Sequence, residues 1–156
     1  MKKTIITLTT LLIAALATPA MAHFQMIYTP DSALEKAREI NLELVFTHPF
    51  EAGHTMDMGK PEKFFVVRKG RKKNLLDTLK PIEWTSLTNS GAAYETSYRL
   101  RGMGDNVFCL VPAPYYEKQE DVYIQQISKM VVNTAGFPTD WDREIGLSTE
   151  IVPLDK

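Results

Sequence analysis

Residues 41–48 read Asn-Leu-Glu-Leu-Val-Phe-Thr-His, and this stretch decides the fold class. Leu42, Leu44 and Phe46 point one way, Glu43 and Thr47 the other, with Val45 the exception. That is the period of two of a half-buried strand rather than the 3.6 of a helix. His48 continues the apolar parity, and Pro49 ends the strand.

Working outward, the same period recurs. Phe24, Met26 and Tyr28 alternate with Gln25 and Thr29 and predict a first strand, ended at Pro30-Asp31. Residues 31–39 predict a short helix or a polar connection, capped by Asp31 or Ser32. Residues 63–68 (KFFVVR) predict a strand stopped by Lys69-Gly70, and the basic group Arg68, Lys69, Arg71, Lys72 and Lys73 around that turn reads as a solvated hairpin tip. Two further strands, Tyr94 to Leu100 and Asn106 to Val111, are separated by Gly102, Gly104 and Asp105. Residues 107–111 (VFCLV) are apolar on both faces, as a central strand requires, and Pro112 and Pro114 end them. A long strand from Tyr123 to Val132 and a short last one from Leu147 to Val152 complete the set. About seven short strands with turns between them predict an all-β antiparallel sandwich of immunoglobulin-like type.

Composition narrows the function classes. The 156 residues carry 18 Lys and Arg against 19 Asp and Glu, a formal net charge of −1. No basic excess is available to neutralise a phosphate backbone, which disfavours nucleic acid as a partner. The single Cys109 forbids an intrachain disulfide and any multi-cysteine metal site. There is no G-x-S-x-G, no phosphate-binding glycine loop and no H-E-x-x-H, so no catalytic residue is assigned and the chain is not read as an enzyme.

Residues 1–22 have the three parts of a secretory signal peptide: Lys2-Lys3, an apolar run from Ile5 to Ala17, and Ala20-Met21-Ala22 as an A-x-A cleavage site. The run is shorter than the roughly 20 residues that span a bilayer, and no other apolar stretch is long enough to cross one. The expected compartment is the periplasm. Cleavage leaves one domain, residues 23–156, and removes two lysines and no acid, so the formal charge moves from −1 to −3.

All three histidines, His23, His48 and His54, fall within 32 residues. After cleavage His23 would offer an imidazole nitrogen and an α-amine to one cation, the amine releasing its proton easily because its pKa is near about 7.7. In the block His48-Pro-Phe-Glu-Ala-Gly-His54-Thr-Met56-Asp-Met58, an extended chain places His54, Met56 and Met58 on one face. Imidazole suits nickel, cobalt, copper and zinc, and thioether favours copper(I). Met26 sits within reach of either a packing or a binding role, and Glu51 and Asp57 are candidates to orient an imidazole. The expected metal ligands are therefore His23, His48 and His54, with Met56 and Met58 less firmly placed.

The junction Ala22-His23-Phe24 and the stretches 42–58, 63–79, 107–133 and 146–154 resemble a bacterial periplasmic family described as the periplasmic component of nickel or cobalt uptake systems. The H-P-F-E-x-x-H-x-M-x-M block is the most specific part. The resemblance implies capture of nickel or cobalt and handover to an inner-membrane transporter of ABC or energy-coupling-factor type. Relatives usually continue past the stretch 150–154 into a second β-rich segment, so the chain is expected to be a short form or a fragment. They also often carry a histidine at the position of Gln126. Two other classes stay open: a copper carrier or oxidative enzyme with an N-terminal histidine brace, for which Trp84, Tyr115 and Tyr116 would supply a substrate surface, and a metal-free domain that binds a partner protein through its turns.

Overall fold

The computed structural model describes residues 23–49, 53–118 and 120–154. The signal segment and Glu51 lie outside the described residues. The strands are β1 (Phe24–Tyr28), β2 (Ala33–Leu34), β3 (Glu39–Thr47), β4 (Thr55–Met56), β5 (Lys63–Arg68), β6 (Arg71–Asn74), β7 (Lys80–Thr85), β8 (Ser90–Arg99), β9 (Gly104–Val111), β10 (Tyr115–Glu117), β11 (Val122–Ile124) and β12 (Ser128–Thr134). One 3-10 turn, Leu76–Thr78, interrupts them.

Two five-stranded sheets pack face to face. The first has the order β1-β3-β8-β7, with β4 also paired to β3; the second has the order β2-β12-β9-β5-β6. All pairings are antiparallel except β2 with β12, which is parallel. The chain is an all-β sandwich, as its periodicity requires. Between the layers lie Ile27, Ile40, Leu42, Leu44 and Phe46 from the first sheet and Phe64, Val66, Phe108, Leu110 and Val132 from the second. Each such side chain removed from water is worth about 1.5–3 kcal/mol.

The doubly apolar stretch 107–111 is central, with β12 on one side and β5 on the other. Phe108 and Leu110 enter the inter-sheet core, whereas Val107 and Cys109 join Phe65 and Val67 under Ile145 and Leu147 of the C-terminal segment. That second cover is why neither face of β9 is polar.

Four expectations need correction. Residues 31–39 form no helix: Ala33 and Leu34 extend along β12, where their neighbourhood exchanges backbone bonds such as Asn133 N–H to Ser32 O (2.9 Å). The parity of β1 is the reverse of that expected, with Gln25 and Ile27 buried and Phe24 and Tyr28 exposed. A buried Gln25 is tolerated because its side-chain amide donates to Ala113 O (3.3 Å) and Ser128 Oγ donates to its carbonyl (2.6 Å). The single strand expected over 123–132 is two, β11 and β12, and their break explains the irregular alternation. Residues 147–152 form no strand, because the Glu150 carboxylate accepts the N–H groups of Ile145, Gly146 and Leu147 that a sheet partner would otherwise take.

Candidate metal centre

The three histidines lie in one row by strand register. In β1–β3 the pairs run from Tyr28↔Glu43 to Phe24↔Thr47, and one more step sets His23 opposite His48. In β3–β4 the pairs are Phe46↔Met56 and Thr47↔Thr55, and one more step sets His48 opposite His54. The backbone agrees: His48 N–H donates to His54 O at 3.3 Å. Residues directly across a ladder share a face, so three strands deliver their imidazoles to one side of the sheet's end.

The rings themselves meet. His23 lies edge-to-face with His48 (centroids 5.8 Å, planes at 83°) and with His54 (6.0 Å, 82°). Its other neighbour is Phe46, at 6.2 Å, which packs in turn on Tyr115 at 4.7 Å. His48 is 7% exposed, His23 is half-buried and His54 is exposed, so the cluster opens to solvent on the His54 side.

Side chains from elsewhere lock each histidine-bearing segment. Gln126 holds β1 at both of its bonding atoms: Gln25 N–H donates to Gln126 Oε1 (2.9 Å) and Gln126 Nε2 donates to His23 O (2.9 Å). The primary amide here imitates the neighbouring strand that β1 lacks on that side. Asn89 does the same for β4, accepting from Thr55 N–H (2.8 Å) and donating to Thr55 O (2.8 Å). Thr55 Oγ1 donates to Phe46 O (3.0 Å) and Thr47 Oγ1 to His54 O (3.4 Å). Gly91 makes the approach possible, since a Cβ there would stand 3.1 Å from Met56 O. Gln126 and Asn89 carry no sequence signal that marks them as clamps, because their partners are backbone atoms 101 and 34 residues away.

The remaining expected residues fall into other roles. Met58 is 3% exposed and, with Met56 beside it, packs against the inter-sheet core. Asp57 is not turned toward an imidazole: its carboxylate accepts the Ala92 N–H at 2.8 Å. Trp84 donates its indole N–H to Glu43 (2.9 Å) on the outer face of the first sheet, and Tyr116 donates its hydroxyl to Asp121 and packs at a tilt on Tyr123. Cys109 is fully buried, and burial pushes its thiol up to about 11, the behaviour of a small core residue.

Electrostatics favour a neutral ring at His23. Burial lowers the His23 pKa first, and repulsion from His48 and His54 lowers it further, against a partial pull upward from Glu117. A neutral imidazole keeps a lone pair free for a cation. His23 Nε2 is buried without a hydrogen-bond partner among the described residues, and a buried nitrogen left so costs about 1–3 kcal/mol. Among the described residues, no group of three or more His, Cys, Asp or Glu side chains is already arranged to hold a metal ion. The rings are gathered but cross edge to face, and their nitrogens do not yet share a focus. Two imidazoles sharing one ion through bonds of about 2 Å have ring centres roughly 5–6 Å apart, so the observed spacings fit and the ring rotations do not.

Beyond the site, no helix among the described residues is long and apolar enough to cross a membrane. The sequence profile of a family described as a domain of unknown function (DUF4198) matches residues 20–156. No curated protein and no solved structure matches the chain.

Proposed function

The chain belongs to the DUF4198 family, and for this member we propose a periplasmic carrier that binds one divalent transition-metal ion, nickel or cobalt, through His23, His48 and His54 and releases it to an inner-membrane transporter. The observation that carries the reading is the three-strand register that stacks these imidazoles at ring separations of 5.8 and 6.0 Å. Modest ring rotations about the side-chain bonds turn an edge-to-face cluster into a convergent one. Gln126 fixes the backbone of the site's first ligand.

Export cleavage before His23 would add the α-amine to the donor set. An amine and imidazoles without thiolate is a nitrogen-rich set that also attracts copper, which outranks nickel in intrinsic affinity. A periplasmic carrier for nickel or cobalt therefore depends on metal supply as well as on geometry.

The test is calorimetric titration of the processed protein with Ni(II), Co(II) and Cu(II). One equivalent of Ni(II) or Co(II) should bind, and His48→Ala and His54→Ala should each weaken it. Equal binding by the double variant, or binding of Cu(II) alone, defeats the nickel or cobalt reading.

A further inference from the structure

The opposite end of the sandwich concentrates positive charge in a groove of 350 Å³ lined by Arg68, Arg71, Lys72, Lys73, Arg99 and Arg101, with no acidic residue in its wall. The sequence shows only half of this. Residues 68–73 read as a solvated hairpin tip, but the fold brings the end of β8 and the residues after it against that tip, adding two guanidiniums from about thirty residues away. A chain of net charge −1 has no general surplus to account for such a cluster, within which Lys72 turns its ammonium onto the Phe65 ring (3.5 Å) and the other five cations remain.

Three details distinguish the groove from a chance patch. Arg68 and Arg71 stand directly opposite each other in the β5–β6 register, a like-charge pair that destabilises a hairpin unless something neutralises it. The Arg68 Nε is buried without a hydrogen-bond partner among the described residues, while its Nη2 donates to Met103 O at 3.3 Å. No ion pair within 4 Å engages the groove's cations among the described residues: Glu39 faces Arg99 across the β3–β8 ladder without forming one, and Asp140 is spent on Lys69 N–H, Gly70 N–H (3.0 Å) and Arg143 Nε (2.7 Å). Tyr98 forms part of the wall, its ring fixed edge-on to Phe108 at 5.3 Å, with Lys73 Nζ 5.5 Å from the ring centre. Thr78 and Ser97 complete the wall, their hydroxyls already donating to Leu75 O (2.7 Å) and Asn41 Oδ1 (2.9 Å), so the anion's donors are the cations.

We propose that this groove binds a phosphoryl-bearing anion, held by the guanidiniums of Arg68, Arg71 and Arg101. Planar guanidinium forks match the oxygens of a phosphoryl group two at a time, and the Arg68 Nε is a donor that such an oxygen satisfies. The phosphoryl group belongs either to a small soluble anion or to a lipid headgroup. The site is independent of the histidine row.

Two arms of one experiment test it, using the processed protein at low ionic strength. In the first, pyrophosphate is titrated and followed by amide NMR. Shifts should cluster at 68–73 and 98–101, and Arg71→Gln with Arg101→Gln should weaken binding at least tenfold. Both residues are exposed, so the pair leaves the packing intact, and the exposed control Lys60→Gln with Lys80→Gln should stay within twofold. In the second, vesicles of phosphatidylglycerol are compared with vesicles of phosphatidylcholine by co-sedimentation. Pyrophosphate binding lost in the arginine variant supports a soluble anion; phosphatidylglycerol binding lost in that variant, without pyrophosphate binding, supports a headgroup. Binding in neither arm, or binding that survives the arginine substitutions, overturns the proposal. His48→Ala should change neither arm, which separates this outcome from the fate of the metal reading.

Discussion

Two polar clusters at opposite ends of the sandwich, the histidine row and the Asp105–Asp140 pair, meet their hydrogen-bonding needs in opposite ways. At one end, where β1 begins and β3 finishes, three imidazoles are pressed together and His23 Nε2 finds no hydrogen-bond partner among the described residues. At the other, where β9 begins and β12 finishes, the Asp105 carboxylate is saturated: it accepts from Thr139 N–H (2.6 Å), Asp140 N–H (2.9 Å), Trp141 N–H (3.1 Å) and Asn133 Nδ2 (2.6 Å). Asp140 next to it is equally occupied. Saturation marks a group whose work is to hold chain segments together. Lone pairs kept in reserve mark a group with something else to bind. The difference is measurable, because the two ends should fail in different assays.

The largest effect belongs to the saturated end. Asp105→Ala removes the acceptor of three backbone N–H groups, one buried and two half-buried, and should cost about 3–5 kcal/mol in urea unfolding, with no change in metal affinity beyond that explained by unfolding. Its pH dependence has a definite sign. Burial alone would raise the Asp105 pKa, but the Thr139, Asn133, Asp140 and Trp141 donors outweigh it and hold the carboxyl below its ordinary range; Asp140 behaves likewise through Lys69, Arg143 and Gly70. A depressed folded-state pKa gives stability that is present above the ordinary carboxyl value of about 3.9 and is lost as the pH falls through the folded value. The gap between wild type and Asp105→Asn should therefore be full at pH 7 and close progressively below about pH 4. A gap that stays constant to pH 2 would show that the carboxylate's charge is not what the N–H donors reward.

The second effect falls at the reserved end and inverts the pattern. His48→Ala should lower Ni(II) or Co(II) affinity at least 100-fold, about 2.7 kcal/mol, while changing unfolding free energy by only about 1 kcal/mol. A variant that loses several kcal/mol of stability but keeps its metal affinity would make the histidine row a packing device and erase the contrast between the ends.

The third tests whether the row depends on its clamps. Gln126→Ala removes the amide that holds Gln25 N–H and His23 O, and should cost about 1–2 kcal/mol together with roughly tenfold in metal affinity, equivalent to about 1.4 kcal/mol. Loss of stability without loss of affinity would place Gln126 in the fold alone.

Local pattern made the sandwich legible: β3 carries its burial in its own alternation, and the continuous apolar runs of β5 and of residues 107–111 mark strands buried on both faces. What escaped was everything decided at a distance. The parity of β1 reversed because Gln126, 101 positions away, accepts from the Gln25 N–H and Ala113, 88 positions away, accepts from its side-chain amide. The tail 147–152 gave up a strand because one carboxylate, Glu150, serves three N–H groups. The histidines themselves were visible, and their meeting follows from a register that no sequence displays: β1 had to pair with β3, and β4 had to fold back beside it. The two methionines carried the right spacing for a shared face, but the core needed their volume. The basic groove was half visible, since Arg99 and Arg101 join the hairpin tip only through the stacking of β8 over β5 and β6.

The smallest effect lies between the ends and serves as their common reference. Cys109 sits mid-strand in β9, opposite Phe65 on one side and Lys129 on the other, and its sulfur is fully enclosed with Val107, Val67 and Phe65. Removing one buried sulfur costs about 1 kcal/mol, so Cys109→Ala should lower stability by that amount and leave both metal affinity and the acid profile untouched. Because burial pushes the thiol up to about 11, the folded protein should also react with a thiol reagent at pH 8 only at the rate at which it opens. Denaturant well below the unfolding midpoint should accelerate that reaction in step with global stability. The same stability loss should carry no signature of either end, since Cys109 neither saturates a donor cluster nor holds a lone pair in reserve. Reaction at the free-thiol rate in the native protein would mean that the C-terminal cover over β9, built on Ile145 and Leu147, opens on its own.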